Sequence, residues 1–216
     1  MNDVQIESGS ILRLGEARIT FQRTLRIPDD GRSYPLPPGL GCFPLRRVAD
    51  YAARVPDGWA AKGGVFLPMY QREAMWLSFG GAPHALKVGI GKVCAVSGER
   101  WRDGLCASPQ DYVVTGAQPW LDGIASGVGT IRQFVAMPLG MGYTVEAQVT
   151  GEETHGGIQL QAYAAKPGRL GWLARACSAG ASELACAGPP APACATPRRR
   201  SGAMELAAGG RMKQKV

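Results

Sequence analysis

Over residues 17–27 the chain alternates. Ile19, Phe21, Leu25 and Ile27 are apolar, and Arg18, Thr20, Gln22, Thr24 and Arg26 are polar. A period of two places the apolar set on one face of a strand and the polar set in water. Ile11–Leu14 reads as a shorter strand before it, with Gly15 in the turn, so the two predict a β-hairpin. Residues 28–41, PDDGRSYPLPPGLG, are dense in Pro and Gly. Proline fixes φ and removes a donor, which predicts an ordered loop or extended segment. Over residues 44–55, PLRRVADYAARV, the period changes. Leu45, Val48 and Ala52 recur at helical spacing, Pro44 suits a first turn, and Gly58 follows the end. One helix is expected here.

From Gly64 the strand pattern returns. Strands are expected over residues 65–67, 74–79, 85–90, 92–96, 111–114, 120–124, 131–136, 144–149 and 157–163. In the second of these, Met75, Leu77 and Phe79 share a face, and in the third Leu86, Val88 and Ile90 do. Short strands at this spacing predict an α+β, mostly β fold. The expected architecture is an antiparallel sandwich or barrel-like domain, with the helix at about 44–55 covering one face or opening.

Composition then divides the chain. Residues 174–210 are mostly Ala, Gly, Pro, Ser, Cys and Arg. Such a segment buries too little apolar area to offset its ordering entropy. The expected division is a β-rich globular domain over 1–165 and a low-complexity, disordered basic tail over 166–216, with at most a transient helix at 204–208. Charge follows the same line. Nine basic and two acidic residues lie beyond residue 165, so the whole formal charge of +7 resides there and the domain is neutral. A neutral domain has no field to steer a polyanion, so nucleic acid is expected only nonspecifically, through the tail and its Arg198, Arg199 and Arg200. No apolar run approaches the ~18 residues of a spanning helix. The opening MNDVQIESGS carries acids and no apolar core, so no secretory signal is expected and the expected location is cytoplasmic. Dispersed cysteines with no C-x-x-C pair predict neither a disulfide framework nor a metal site.

Several motifs stand together: YPLPPGLGCFPL, VFLPMYQREAMWLSF, QDYVV, PWLDG and IRQFVAMPLGMGYTVEAQVTGEETHGGIQL. In combination they resemble an uncharacterised fungal and bacterial family. Its members are sometimes labelled integral membrane proteins, and some carry a ubiquitin-like segment. The resemblance covers about residues 31–163. It implies no activity and carries no catalytic residue over. The membrane label conflicts with the hydropathy of this chain, and no ubiquitin-like segment is present in it.

Three segments bear candidate chemistry. In residues 120–123, Trp120 can stack a ring while Asp122 accepts its hydroxyl protons. The structural alternative is a core Trp beside a tight Asp-Gly turn. Arg132 can grip a carboxylate or phosphate, with Gln133 beside it and the glycine-bearing loop 137–143 after it. The alternative is a hairpin loop with a surface arginine. In residues 150–157, Glu152, Glu153 and His155 offer acids and an imidazole at close spacing. The alternative is a polar turn. The ligand-binding candidates are therefore Trp120, Asp122, Arg132, Gln133, Glu152 and His155. His84 reads as structural. No G-x-S-x-G and no complete phosphate loop occurs. The leading expectation is a non-catalytic binding or interaction module for a protein or small polar ligand, with no cofactor. The alternatives are an enzyme on a small or carbohydrate-like substrate, using acid–base groups of 120–123 and 150–157, and an assembly protein with a nonspecific basic tail.

Overall fold

A computed structural model describes residues 4–166 and the backbone of 205–213. The fold is mostly β and antiparallel, as the alternation predicts. Strands β1 (Gln5–Glu7), β2 (Ile11–Leu14) and β3 (Ala17–Thr24) form a meander in which Leu12 pairs with Ile19. Ile19, Phe21 and Ile27 are buried, but Leu25 is 59% exposed and Thr24 is buried. The alternation stops where the strand stops. Beyond Thr24 the chain is held by the side chain of Gln133, which donates to the carbonyl of Leu25 and accepts from the N–H of Ile27. Thr24 lies under the proline-rich segment, and its hydroxyl donates to the carbonyl of Pro38 at 2.9 Å. That segment ends in β4 (Gly39–Cys42), which pairs with β3.

Residues 44–55 do not form one helix. Arg46 and Arg47 make β5 (Arg46–Arg47), paired with β6 (Val65–Phe66). A short 3-10 segment follows at Ala49–Arg54, kinked at Tyr51. Val55 is extended because Pro56 follows it, and a residue before proline is pushed out of the helical region. Helix α1 (Asp57–Lys62) begins only beyond that proline.

The larger sheet continues through β7 (Ala74–Gly81), which pairs with β3 along its whole length. The smaller sheet is built on β8 (His84–Ile90), with β9 (Val93–Cys94) and β10 (Val113–Val114) paired to it. Next, β11 (Trp120–Leu121) pairs with β7, while β12 (Gly123–Gly127) pairs with β13 (Thr130–Met137). The chain thus changes partner at Asp122. A Cβ at Gly123 would lie 2.0 Å from the carbonyl oxygen of Arg132, so only glycine permits this crossing.

Residues 144–149, expected as a strand, are instead helix α2 (Val145–Thr150). The Thr144 hydroxyl caps it by accepting from the N–H of Ala147, and Gly151 ends it in the left-handed region. Local capping outweighs the β-branched residues here. Strand β14 (Ile158–Ala164) then pairs with β8 and forms an edge of the smaller sheet. Residues 205–213, in the stretch expected to lack structure, form β15 (Glu205–Lys213) against the outer edge of β13. Such pairing needs only backbone donors and acceptors, which an open sheet edge supplies. The rest of the expected tail lies outside the described residues.

One apolar cluster fills the space between the sheets. It joins Ile19, Phe21, Met75 and Leu77 of the larger sheet to Leu86, Val88 and Ile90 of the smaller one, with Phe43 and Phe134. The outer face of β8 is covered too. Lys87 is fully buried there, and its ammonium donates to the Asp111 carboxylate at 2.6 Å and to the carbonyls of Arg102 and Gly104. It also stands 4.8 Å from the centre of the Trp101 ring. Burial pushes the Asp111 carboxyl up, but hydrogen bonds from Lys87 and the N–H of Cys106 outweigh it and hold it low. One lysine thus clips the polar loop 97–112 onto the sheet.

Replacing Lys87→Met should cost about 3–5 kcal/mol in urea unfolding, because Asp111 is left buried and unpaired. The double variant Lys87→Met/Asp111→Leu should recover part of that loss. Equal stability of the single variant and the parent would contradict the clip.

Candidate functional site

The inner faces of the two sheets do not close on each other everywhere. Where β14 ends the smaller sheet, an apolar cleft of about 640 Å³ remains. Its floor is Leu12, Leu14, Phe21 and Met75 of the larger sheet. One wall is Ile158 and Leu160 on β14, both half-buried. The opposite wall is the segment between β5 and β6, through Val48, Trp59 and Phe66. Aromatic contacts hold that wall: Phe66 meets Tyr51 edge-on at 5.4 Å and Trp59 at 5.9 Å.

Two polar side chains stand at the mouth, Lys62 from the end of α1 and His155 from the turn before β14. The Lys62 ammonium donates to the His155 carbonyl at 3.2 Å, tying the two walls together. The turn at His155 is fixed from beneath. Glu146 of α2 is buried, and its carboxylate accepts the N–H groups of His155 at 3.2 Å and Gly156 at 2.8 Å. The imidazole Nδ1 lies 3.0 Å from the Thr154 hydroxyl and 3.7 Å from a Glu146 oxygen. A second cavity, about 380 Å³ and more polar, is lined by Arg132 with Ser97, Ser126 and Gln148.

The residues singled out from sequence fall in separate places. His155 is at the mouth of the apolar cleft, and Arg132 lines the second cavity. Gln133 is fully buried, with both ends of its amide on the backbone of residues 25 and 27. Glu152 is exposed on the surface. Glu153 organises the loop 137–143. Its carboxylate accepts the Thr144 hydroxyl at 2.7 Å and the N–H of Gly140, and the hydroxyl above all keeps it below the usual carboxylate range. That loop exposes Leu139, Met141 and Tyr143. Trp120 is half-buried on β11 opposite Ser78, and Asp122 follows it at the change of strand partner. Neither lines either cavity. His84 is buried, with its N–H on the Thr115 hydroxyl, as a structural histidine should be. Among the described residues no group of three potential ligands is placed to hold a metal, and no helix is long and apolar enough to cross a membrane.

Sequence reasoning missed Lys62, Trp59 and the cleft itself. Its lining comes from three stretches far apart in the chain, and each residue alone reads as ordinary core. No family profile, curated protein or solved structure matches the chain.

Asp122 carries the strongest electrostatic signature. It is 8% exposed, and burial pushes its carboxyl up to about 6, against a smaller opposing effect of a hydrogen bond from Trp120. The folded protein therefore holds this proton more tightly than the unfolded chain. The stability it contributes is full below the unfolded value near 4 and is lost as pH rises through 6. Asp122→Asn should match the parent at pH 4 and exceed it by about 2–3 kcal/mol at pH 7.5. Urea unfolding at the two pH values reads this, and a pH-independent difference would contradict it.

Proposed function

We propose that this domain is a non-catalytic binding module whose ligand is a small molecule held in the apolar cleft between the sheets. The observation that carries the reading is the cleft's construction. It is concave, of a size that holds drug-sized ligands, apolar within, and polar at one end. Its accessible lining includes the half-buried Leu14, Ile158 and Leu160, over a floor closed by Leu12, Phe21 and Met75, so the apolar surface it offers lies at Leu14 and along its walls. The acid and imidazole groups support catalysis less well. Glu153 and Glu146 accept backbone or hydroxyl protons in fixed turns, and Asp122 lies outside both cavities. The reading narrows the sequence-based expectation of a binding module and moves its ligand from polar to largely apolar. A cytoplasmic location belongs to the same proposal.

The test is a titration with the uncharged dye Nile red, followed by fluorescence, on the full chain and on Leu14→Trp, which places a larger side chain in the floor. Saturable binding by the parent, weakened at least about tenfold in the variant at unchanged fold by circular dichroism, is the expected result. Absence of saturable binding, or equal binding by both, would overturn the proposal.

A further inference from the structure

The lining of the cleft carries one formal charge, and it is positive. Lys62 is the one lining residue with a permanent charge, and no lining residue among the described ones is acidic. Its ammonium spends one proton on the His155 carbonyl at 3.2 Å and makes no ion pair among the described residues. An ammonium has three donors, so two remain for a ligand. His155 stands beside it, 47% exposed, and its Nδ1 is engaged with Thr154. Glu146 is the nearby acid. It is 2% exposed, and its oxygens are drawn inward by the N–H groups of residues 155 and 156. Its carboxylate is buried behind the turn, 3.7 Å from the His155 ring, and the exposed charge at the mouth is the Lys62 ammonium. Behind Lys62 the walls are apolar down to Phe21 and Met75.

From this polarity we propose that the cleft selects a single-chain anionic amphiphile, with its carboxylate at Lys62 and its hydrocarbon chain on the half-buried Leu14, Ile158 and Leu160. This rests on the reading of the cleft as a ligand site and adds the chemical class. The charge complementarity decides among occupants. An alkyl cation would meet Lys62 with like charge, and an uncharged alcohol would forgo the charge-assisted hydrogen bond. The ligand is the free monomer. The floor is reached between two walls tied together by Lys62 and His155, a geometry suited to one chain rather than to a flat lipid surface.

The experiment measures competition with bound Nile red by decanoate, decanol and decyltrimethylammonium, each below its micelle concentration, at low and high salt. The parent should prefer decanoate over decanol by roughly 3- to 10-fold, less at high salt, and bind the cation weakest. Lys62→Met should erase the preference, read as the ratio of decanoate to decanol affinity in the same variant. Lys62→Glu should reverse it toward the cation, and Lys62→Arg should retain it. Lys62 is exposed and its hydrogen bond to the His155 carbonyl is the contact these variants alter, so circular dichroism of each variant, expected to match the parent, accompanies the titration. Equal affinity of the parent for decanoate and decanol, or a preference that survives Lys62→Met, would overturn head-group selection and leave the cleft reading in place. Loss of every ligand and of Nile red would overturn both. Retention on vesicles of phosphatidylcholine and phosphatidylserine, with no binding of decanoate, would overturn the free-monomer assignment.

Discussion

The constraint on which this structure depends is that an antiparallel sheet must cover one apolar face, and here the two sheets are unequal. The larger sheet offers inward side chains from β2, β3, β7 and β13. The smaller sheet ends at β14 and leaves part of that face uncovered. The segment through the 3-10 turn and α1 supplies the missing cover, held by the β5–β6 pair and the cluster at Phe66. Neither helical piece in this segment buries a side chain fully. It therefore works as a wall standing off the sheet, and the gap it leaves is the cleft. The candidate site is a consequence of how the core is closed.

Buried polar groups fix the rest. Lys87 reaches through the outer face of β8 to gather three points of one loop, the carbonyls of Arg102 and Gly104 and the carboxylate of Asp111. Gln133 does the same for the chain beyond β3, and Glu146 for the turn at His155. In each case one side chain satisfies several backbone groups that secondary structure leaves open. The loops are thereby set at fixed distances from the sheets, and the mouth of the cleft is defined by one of them.

Much of the fold was legible in the chain. The hairpin at Ile11–Leu14, the shared face of Met75, Leu77 and Phe79, and that of Leu86, Val88 and Ile90 all follow from a period of two. The failures have physical causes. Leu45 and Val48 are at helical spacing and are buried, yet Arg46 and Arg47 between them are taken by strand pairing and Pro56 cuts the helix short. Residues 144–149 look β-branched, yet a Thr cap and a left-handed Gly bracket them as a helix. Lys87 sits at an outward position, where alternation places polar groups in water, and only the loop folded over it buries it. The candidate site was less legible than the fold. Of the six residues singled out, His155 alone reaches the apolar cleft. Its lining draws on strands β2, β3, β7 and β14, which local patterns cannot bring together.

The central claim is that the opening between the sheets is a place for an apolar chain. Methyl NMR of the full protein titrated with decanoate tests it most directly. The account predicts saturable shifts at the methyl groups of Leu12, Leu14, Val65, Ile158 and Leu160, with Ile124, Val145 and Val149 of the second cavity unmoved. Shifts confined to that second cavity, or none at saturating decanoate, would contradict it.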